Sequence, residues 1–81
     1  MFKWDVLAVE PKDDYTLLIT FARNKKRLFD CKKYLLEKPY AQRLKNKDFF
    51  MKAKADHFTV MWSDDLDIAP EYLYENSAKI K

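Results

Sequence analysis

"YTLLITFARNKKRLFD" (residues 15–30) decides the fold. In 15–21, Tyr15, Leu17, Ile19 and Phe21 fall on one side of an extended chain and Thr16, Leu18 and Thr20 on the other, and the run is rich in β-branched and aromatic residues. "ARNKK" (22–26) separates that strand from "RLFD" (27–30), which is most simply a hairpin return. A tight turn wants a residue that tolerates positive φ, and with no glycine in the chain Asn24 is predicted to supply it. Upstream, "WDVLAVEP" (4–11) also alternates, with Trp4, Val6 and Ala8 on one face and Leu7 and Val9 on the other, as in a strand covered on at least one side. Pro11 ends it and "KDD" makes a polar turn, so the first 30 residues read as three antiparallel strands.

The middle of the chain changes period. Asp30 is placed to cap a short helix carrying Tyr34, Leu35 and Leu36. Pro39 stops that helix and opens the next turn, in which Tyr40 and Leu44 are predicted to share a face at i, i+4. Asn46 caps "KDFFMKA", where Phe49, Phe50 and Ala53 form an apolar stripe flanked by solvated lysines at 45, 47, 52 and 54. "HFTVMWS" (57–63) returns to alternation, Phe58, Val60 and Trp62 facing one way and Thr59 and Met61 the other. "DD" (64–65) turns the chain into a brief extended "LDIA", after which Pro70 suits the first position of a helix and Glu71 its positive end. Leu73 should anchor that helix, with Tyr72 or Tyr74 adding contact area, while "NSAKIK" reads as a frayed terminus. The expected fold is a single α+β domain over residues 1–81. It has a mostly antiparallel sheet, built of an N-terminal three-stranded meander plus one or two later strands, with short helices on one face and a C-terminal helix.

Composition narrows the classes. Eighty-one residues are near the lower limit for a self-sufficient core, and 48% hydrophobic with 16% aromatic residues argues against disorder. Absent glycine and only three prolines leave no flexible linker or low-complexity segment. No apolar run approaches the ~20 residues of a membrane span, and no signal-peptide core opens the chain, so a soluble cytoplasmic protein without membrane contact is expected. The net charge of +3 is unevenly spread: residues 1–30 carry six basic and five acidic groups, residues 31–55 eight and two, and residues 56–81 two and six. Such segregation steers partners of opposite sign or is settled within the fold.

Candidate chemistry is sparse. His57 is the only histidine, and its nearest acid, Asp56, would point to the opposite face of a strand. Cys31, the one cysteine, has no partner for an intramolecular disulfide; Lys32 and Lys33 beside it would lower its thiol pKa, while burial would make it a small hydrophobe. Asp64, Asp65 and Asp67 resemble half of a metal loop but lack the glycine and the distant glutamate of a calcium site. No catalytic, metal or cofactor residue is assigned and an enzyme is not expected. The basic segment offers Lys32, Lys33, Arg43, Lys45, Lys47, Lys52 and Lys54 to a partner or to nucleic-acid phosphates. The interleaved Tyr34, Tyr40, Phe49 and Phe50 fall at core spacing, which leaves no stacking platform.

Six stretches together carry a family resemblance: "VLAVEP", "YTLLITF", "RLFD", "YLLEKP", "KDFF", and above all "HFTVMWSDDLDIAPEYLY". Over residues 3–77 the chain resembles a bacterial family of uncharacterised domains, domain of unknown function 2442. The resemblance marks Trp62, Asp67, Pro70, Leu73 and Tyr74 as structural motif positions and implies a small α+β domain with no known catalytic set. Relatives sometimes precede a helix-turn-helix, or are encoded beside another small protein in arrangements like toxin–antitoxin pairs; no added DNA-binding domain is expected here. Relatives often carry glycine in the hairpin and before the last strand, where this chain has "RNKK" and "KADHF", so those turns should differ in shape. The expected function is a non-enzymatic interaction or regulatory module, antitoxin-like, binding a protein partner encoded nearby as monomer or homodimer. The alternative is nucleic-acid binding through residues 32–54.

Overall fold

The computed structural model describes residues 2–80. Strands β1 (Val6–Pro11), β2 (Thr16–Phe21) and β3 (Lys25–Asp30) form the expected antiparallel meander. Leu17, Ile19, Phe21 and Phe29 drive it, since each is buried on the same side. The β1 face departs from the predicted alternation. Val6 pairs with Phe21 but Ala8 with Thr20, so Leu7 is an extra residue in a β-bulge. The bulge shifts the phase by one: Leu7 and Ala8 are both exposed, while Val6 and Val9 pack on the core, and Trp4 lies before the strand.

Each helix is short and started by the residues the sequence nominates. Asp30 accepts hydrogen bonds from the Lys32 and Lys33 amides to cap α1 (Cys31–Tyr34), and Asn46 accepts one from the Phe49 amide to cap α2 (Lys47–Phe50). Between them Pro39 opens a 3-10 helix, Pro39–Lys45. Its three-residue turn eclipses positions i and i+3, so Ala41 and Leu44 share the buried face and Tyr40, predicted to pair with Leu44, is 57% exposed.

The second half forms its own sheet, β4 (Lys54–Asp56), β5 (Thr59–Ser63) and β6 (Leu66–Ile68). The "KDFFMKA" helix stops at Phe50, short of the predicted Ala53, and β4 follows directly after that segment. A one-turn helix has little intrinsic stability, and pairing Lys54 with Met61 and Ala55 with Val60 outweighs it. His57 and Phe58 become a two-residue turn, which takes Phe58 off the core face where alternation had placed it; Val60 and Trp62 keep that face. The sheets meet where the Val6 amide donates to the Phe58 carbonyl at 3.0 Å.

Pro70 begins the C-terminal helix α3 (Pro70–Asn76), Glu71 lies in its first turn, and Leu73 is fully buried. Tyr72 joins Phe29 and Tyr34 in an aromatic cluster, and Tyr74 meets Phe21 edge-on at 5.1 Å. Of the segment predicted to fray, residues 76–80 are instead held, and Lys81 lies outside the described residues. Ala78–Lys79 form β7, paired antiparallel to Leu28 and Arg27, because the Arg27 guanidinium donates to the Ser77 hydroxyl at 2.8 Å and its carbonyl at 2.6 Å. The result is an α+β fold with antiparallel sheets of four and three strands, not one, around one continuous core.

Candidate functional site

Of the residues with reactive side chains, Cys31 is sealed in the core at the first position of α1. Burial, with the Asp30 carboxylate adding, pushes its thiol up to about 12 rather than down, so the neighbouring lysines do not activate it. The folded chain then keeps a proton that the unfolded chain releases above 9.0. The thiol's contribution to stability is full below that pH and falls as pH rises toward 12, by roughly 1 kcal/mol per pH unit. Urea unfolding compared at pH 8 and pH 10.5 should show this slope in the native sequence and its loss in Cys31→Ala. Equal pH dependence in both would contradict it.

His57 lies in a turn, not on a strand, and so does approach Asp56, at 3.6 Å; its side chain is 90% exposed and open to solvent. Of Asp64, Asp65 and Asp67, the first two form the β5–β6 turn and the third lies on β6; Asp65 accepts hydrogen bonds from Ser63 (2.6 Å) and Arg43 (2.9 Å), which together hold its carboxyl down at about 2. Among the described residues no group of three or more metal-ligating side chains converges.

The basic residues are dispersed over several supports. Arg43 is paired with Asp65 and stacks over Phe49, Lys33 lies over Tyr34, and Lys32 and Lys47 both lie over the Tyr15 ring. Lys47 also donates to the Asp13 carbonyl, and Lys45 presents its carbonyl to the Tyr15 hydroxyl at 2.6 Å. Lys52 and Lys54 are exposed. The motif residues Trp62 and Leu73 are core, Pro70 starts α3, Tyr74 is half-buried, and Asp67 is exposed on β6.

The surface with the most distinctive chemistry is an aromatic corner. Phe2 is 64% exposed and stacks nearly parallel on Trp4 at 5.2 Å. A short turn holds it: the Asp5 amide donates to the Phe2 carbonyl and the Asp5 carboxylate accepts the Phe2 amide, each at 3.0 Å. Phe58 is 54% exposed and sits at φ 64°, in the left-handed region that bulky side chains avoid. Phe2, Asp5, His57, Phe58 and Pro70 line one shallow depression. A second, containing Leu7 and Asp56, shares His57 and Phe58 with it. The corner is an apolar platform with two carboxylates on its rim, suited to docking rather than to bond-making. Strand alternation through "HFTVMWS" hid it; the one signal was "KADHF" standing where the family resemblance leads one to expect glycine.

No helix among the described residues is long and apolar enough to cross a membrane. A family model described as "Protein of unknown function (DUF2442)" matches residues 6–79. No curated protein and no solved structure matches the chain.

Proposed function

The chain belongs to the DUF2442 family, and from that premise we propose that it is a non-enzymatic interaction module that docks a protein partner on the Phe2–Phe58 corner. Phe58 carries the proposal. Its left-handed backbone costs about 1–2 kcal/mol for a residue with a Cβ, and its ring recovers little of that by burial. Glycine would relieve the strain, so a ring displayed there at that cost points to a use outside the fold. Asp5 and Asp56 on the rim favour a partner whose apolar anchor is flanked by basic residues. The partner we infer is the product of an adjacent gene, with this chain as the antitoxin-like or regulatory half of the pair.

Phe58→Gly separates the two roles of the residue. It should raise stability to urea by about 1 kcal/mol through relief of the turn. It should also weaken binding of the neighbouring gene product at least 30-fold, the loss of a central aromatic anchor. A variant that binds as well as the native chain, or a native chain that captures no neighbour, would end the proposal. Nucleic-acid binding through residues 32–54 is the less supported reading: Lys32 and Lys47 gather at Tyr15, but the Arg43 charge is already met by Asp65.

A further inference from the structure

A third concavity lies between the β2–β3 turn and α3, lined by Lys3, Ala22, Arg23, Lys25 and Tyr74. Three of those five side chains are cations and none is an acid. The Lys3 ammonium is 5.6 Å from the Tyr74 ring centre, and the Arg27 guanidinium, fixed by Ser77, is 4.7 Å from it and adds a fourth positive charge. The ion pairs among the described residues join Lys12 to Glu10, Arg43 to Asp65 and His57 to Asp56, so none of the described carboxylates lies within ion-pair distance of Lys3, Arg23 or Lys25. Asp5, close in sequence to Lys3, is occupied by the Phe2 amide. Arg23 is also held at φ 64°, where glycine or asparagine would be at ease.

Like charges crowded around a concavity repel one another, and surfaces without a binding role usually intersperse the two signs. An arginine kept in a strained turn at the mouth of such a pocket repeats the pattern seen at Phe58, with charge in place of an aromatic ring. We propose that this concavity binds a phosphate-class oxyanion, with the Arg23 guanidinium as the forked donor and Lys3 and Lys25 as flanking point charges. Tyr74 is a wall and not a stacking platform, because its ring already faces Arg27 and Lys3 and meets Phe21 edge-on. The site is separate from the aromatic corner and from the 32–54 segment, and stands whether or not the protein-docking proposal holds.

Arg23→Gly combined with Lys25→Ala is the informative variant, since glycine removes the guanidinium and relieves the turn, so the fold is not at risk. Amide chemical shifts are followed at low salt during titration with inorganic phosphate, with a short single-stranded oligonucleotide and with oligoglutamate. Phosphate should shift the amides around residues 22–26 and 74, and the double variant should weaken that binding at least tenfold. Lys52→Ala with Lys54→Ala should leave it unchanged. If the phosphate belongs to a nucleic-acid backbone, the oligonucleotide binds more tightly than phosphate. Its log K then falls with log salt at a slope near −2, for about three neutralised phosphates, and near −1 or shallower in the double variant. Tighter binding by free phosphate assigns the site to a small ligand instead. Absence of any phosphate-induced shift, undiminished binding in the double variant, or equal binding of oligoglutamate would overturn the proposal.

Discussion

Trp62→Ala should lower the unfolding free energy by about 3–5 kcal/mol, enough to leave much of the population unfolded at 37 °C. A domain of this size holds only about 4–12 kcal/mol in total. Trp62 is where the second sheet is fastened to the helical layer. Its ring packs on Phe50 at 6.2 Å, and its indole N–H donates to the Phe50 carbonyl at 2.9 Å. Phe50 in turn meets Tyr15 edge-on at 5.0 Å, and Tyr15 reaches the Lys45 carbonyl, so the cavity left by alanine would loosen contacts on three elements. Trp62→Phe divides the effect. The Phe50 carbonyl also accepts from the Ala53 amide, so losing the indole donor orphans nothing, and the cost should be nearer 1–2 kcal/mol. Urea titration followed by far-UV circular dichroism measures both; an unfolding midpoint for Trp62→Ala close to that of the native chain would refute the assignment.

The second large effect is expected at Arg27. Arg27→Met keeps most of the side-chain volume but removes two hydrogen bonds from a charged donor and the cation over Tyr74. The expected loss is about 2–4 kcal/mol, because the part-buried Ser77 carbonyl then lacks its charged donor. Arg27→Lys should recover little, since an ammonium cannot span the Ser77 hydroxyl and carbonyl as a planar fork does. Hydrogen exchange distinguishes this from general weakening. Amides of residues 78–80 should exchange much faster in Arg27→Met, while those of Leu17 and Ile19 on the inner strand remain the slowest. Uniform acceleration across the sheet would mean that Arg27 supports the core rather than the terminus.

Much of the fold was legible because its signals were strong and local. The two-residue period of 15–21 and the caps at Asp30 and Asn46 needed no tertiary information, and Pro39 and Pro70 start helices where proline usually does. What escaped was set by partners distant in sequence. Lys54–Asp56 and Ala78–Lys79 have little strand character of their own and become strands only because β5 and β3 offer them hydrogen bonds. Leu7 looks like any residue of an alternating strand until the register with Phe21 and Thr20 makes it a bulge. The 3-10 geometry at 39–45 changed the period from four to three, which exchanged Tyr40 for Ala41 on the inner face. The candidate surfaces were hidden for a related reason. Phe58 and Arg23 derive their interest from positive φ, and Asn24 was the only turn position where side-chain chemistry announced it.

The late arrival of β7 also bears on how the chain emerges during synthesis. Arg27 and Ser77 are 50 residues apart, so the meander leaves the ribosome with the outer edge of β3 unpaired until Ser77 and β7 have followed it. An open strand edge invites pairing with a neighbouring nascent chain. Lys25, Lys26 and Arg27 place consecutive positive charges along that edge, and like charges on two such edges repel. Two of these cations, Lys25 beside the Tyr74 concavity and Arg27 on Ser77, thus serve first with Lys26 as gatekeepers, keeping a half-made sheet single until β7 closes it.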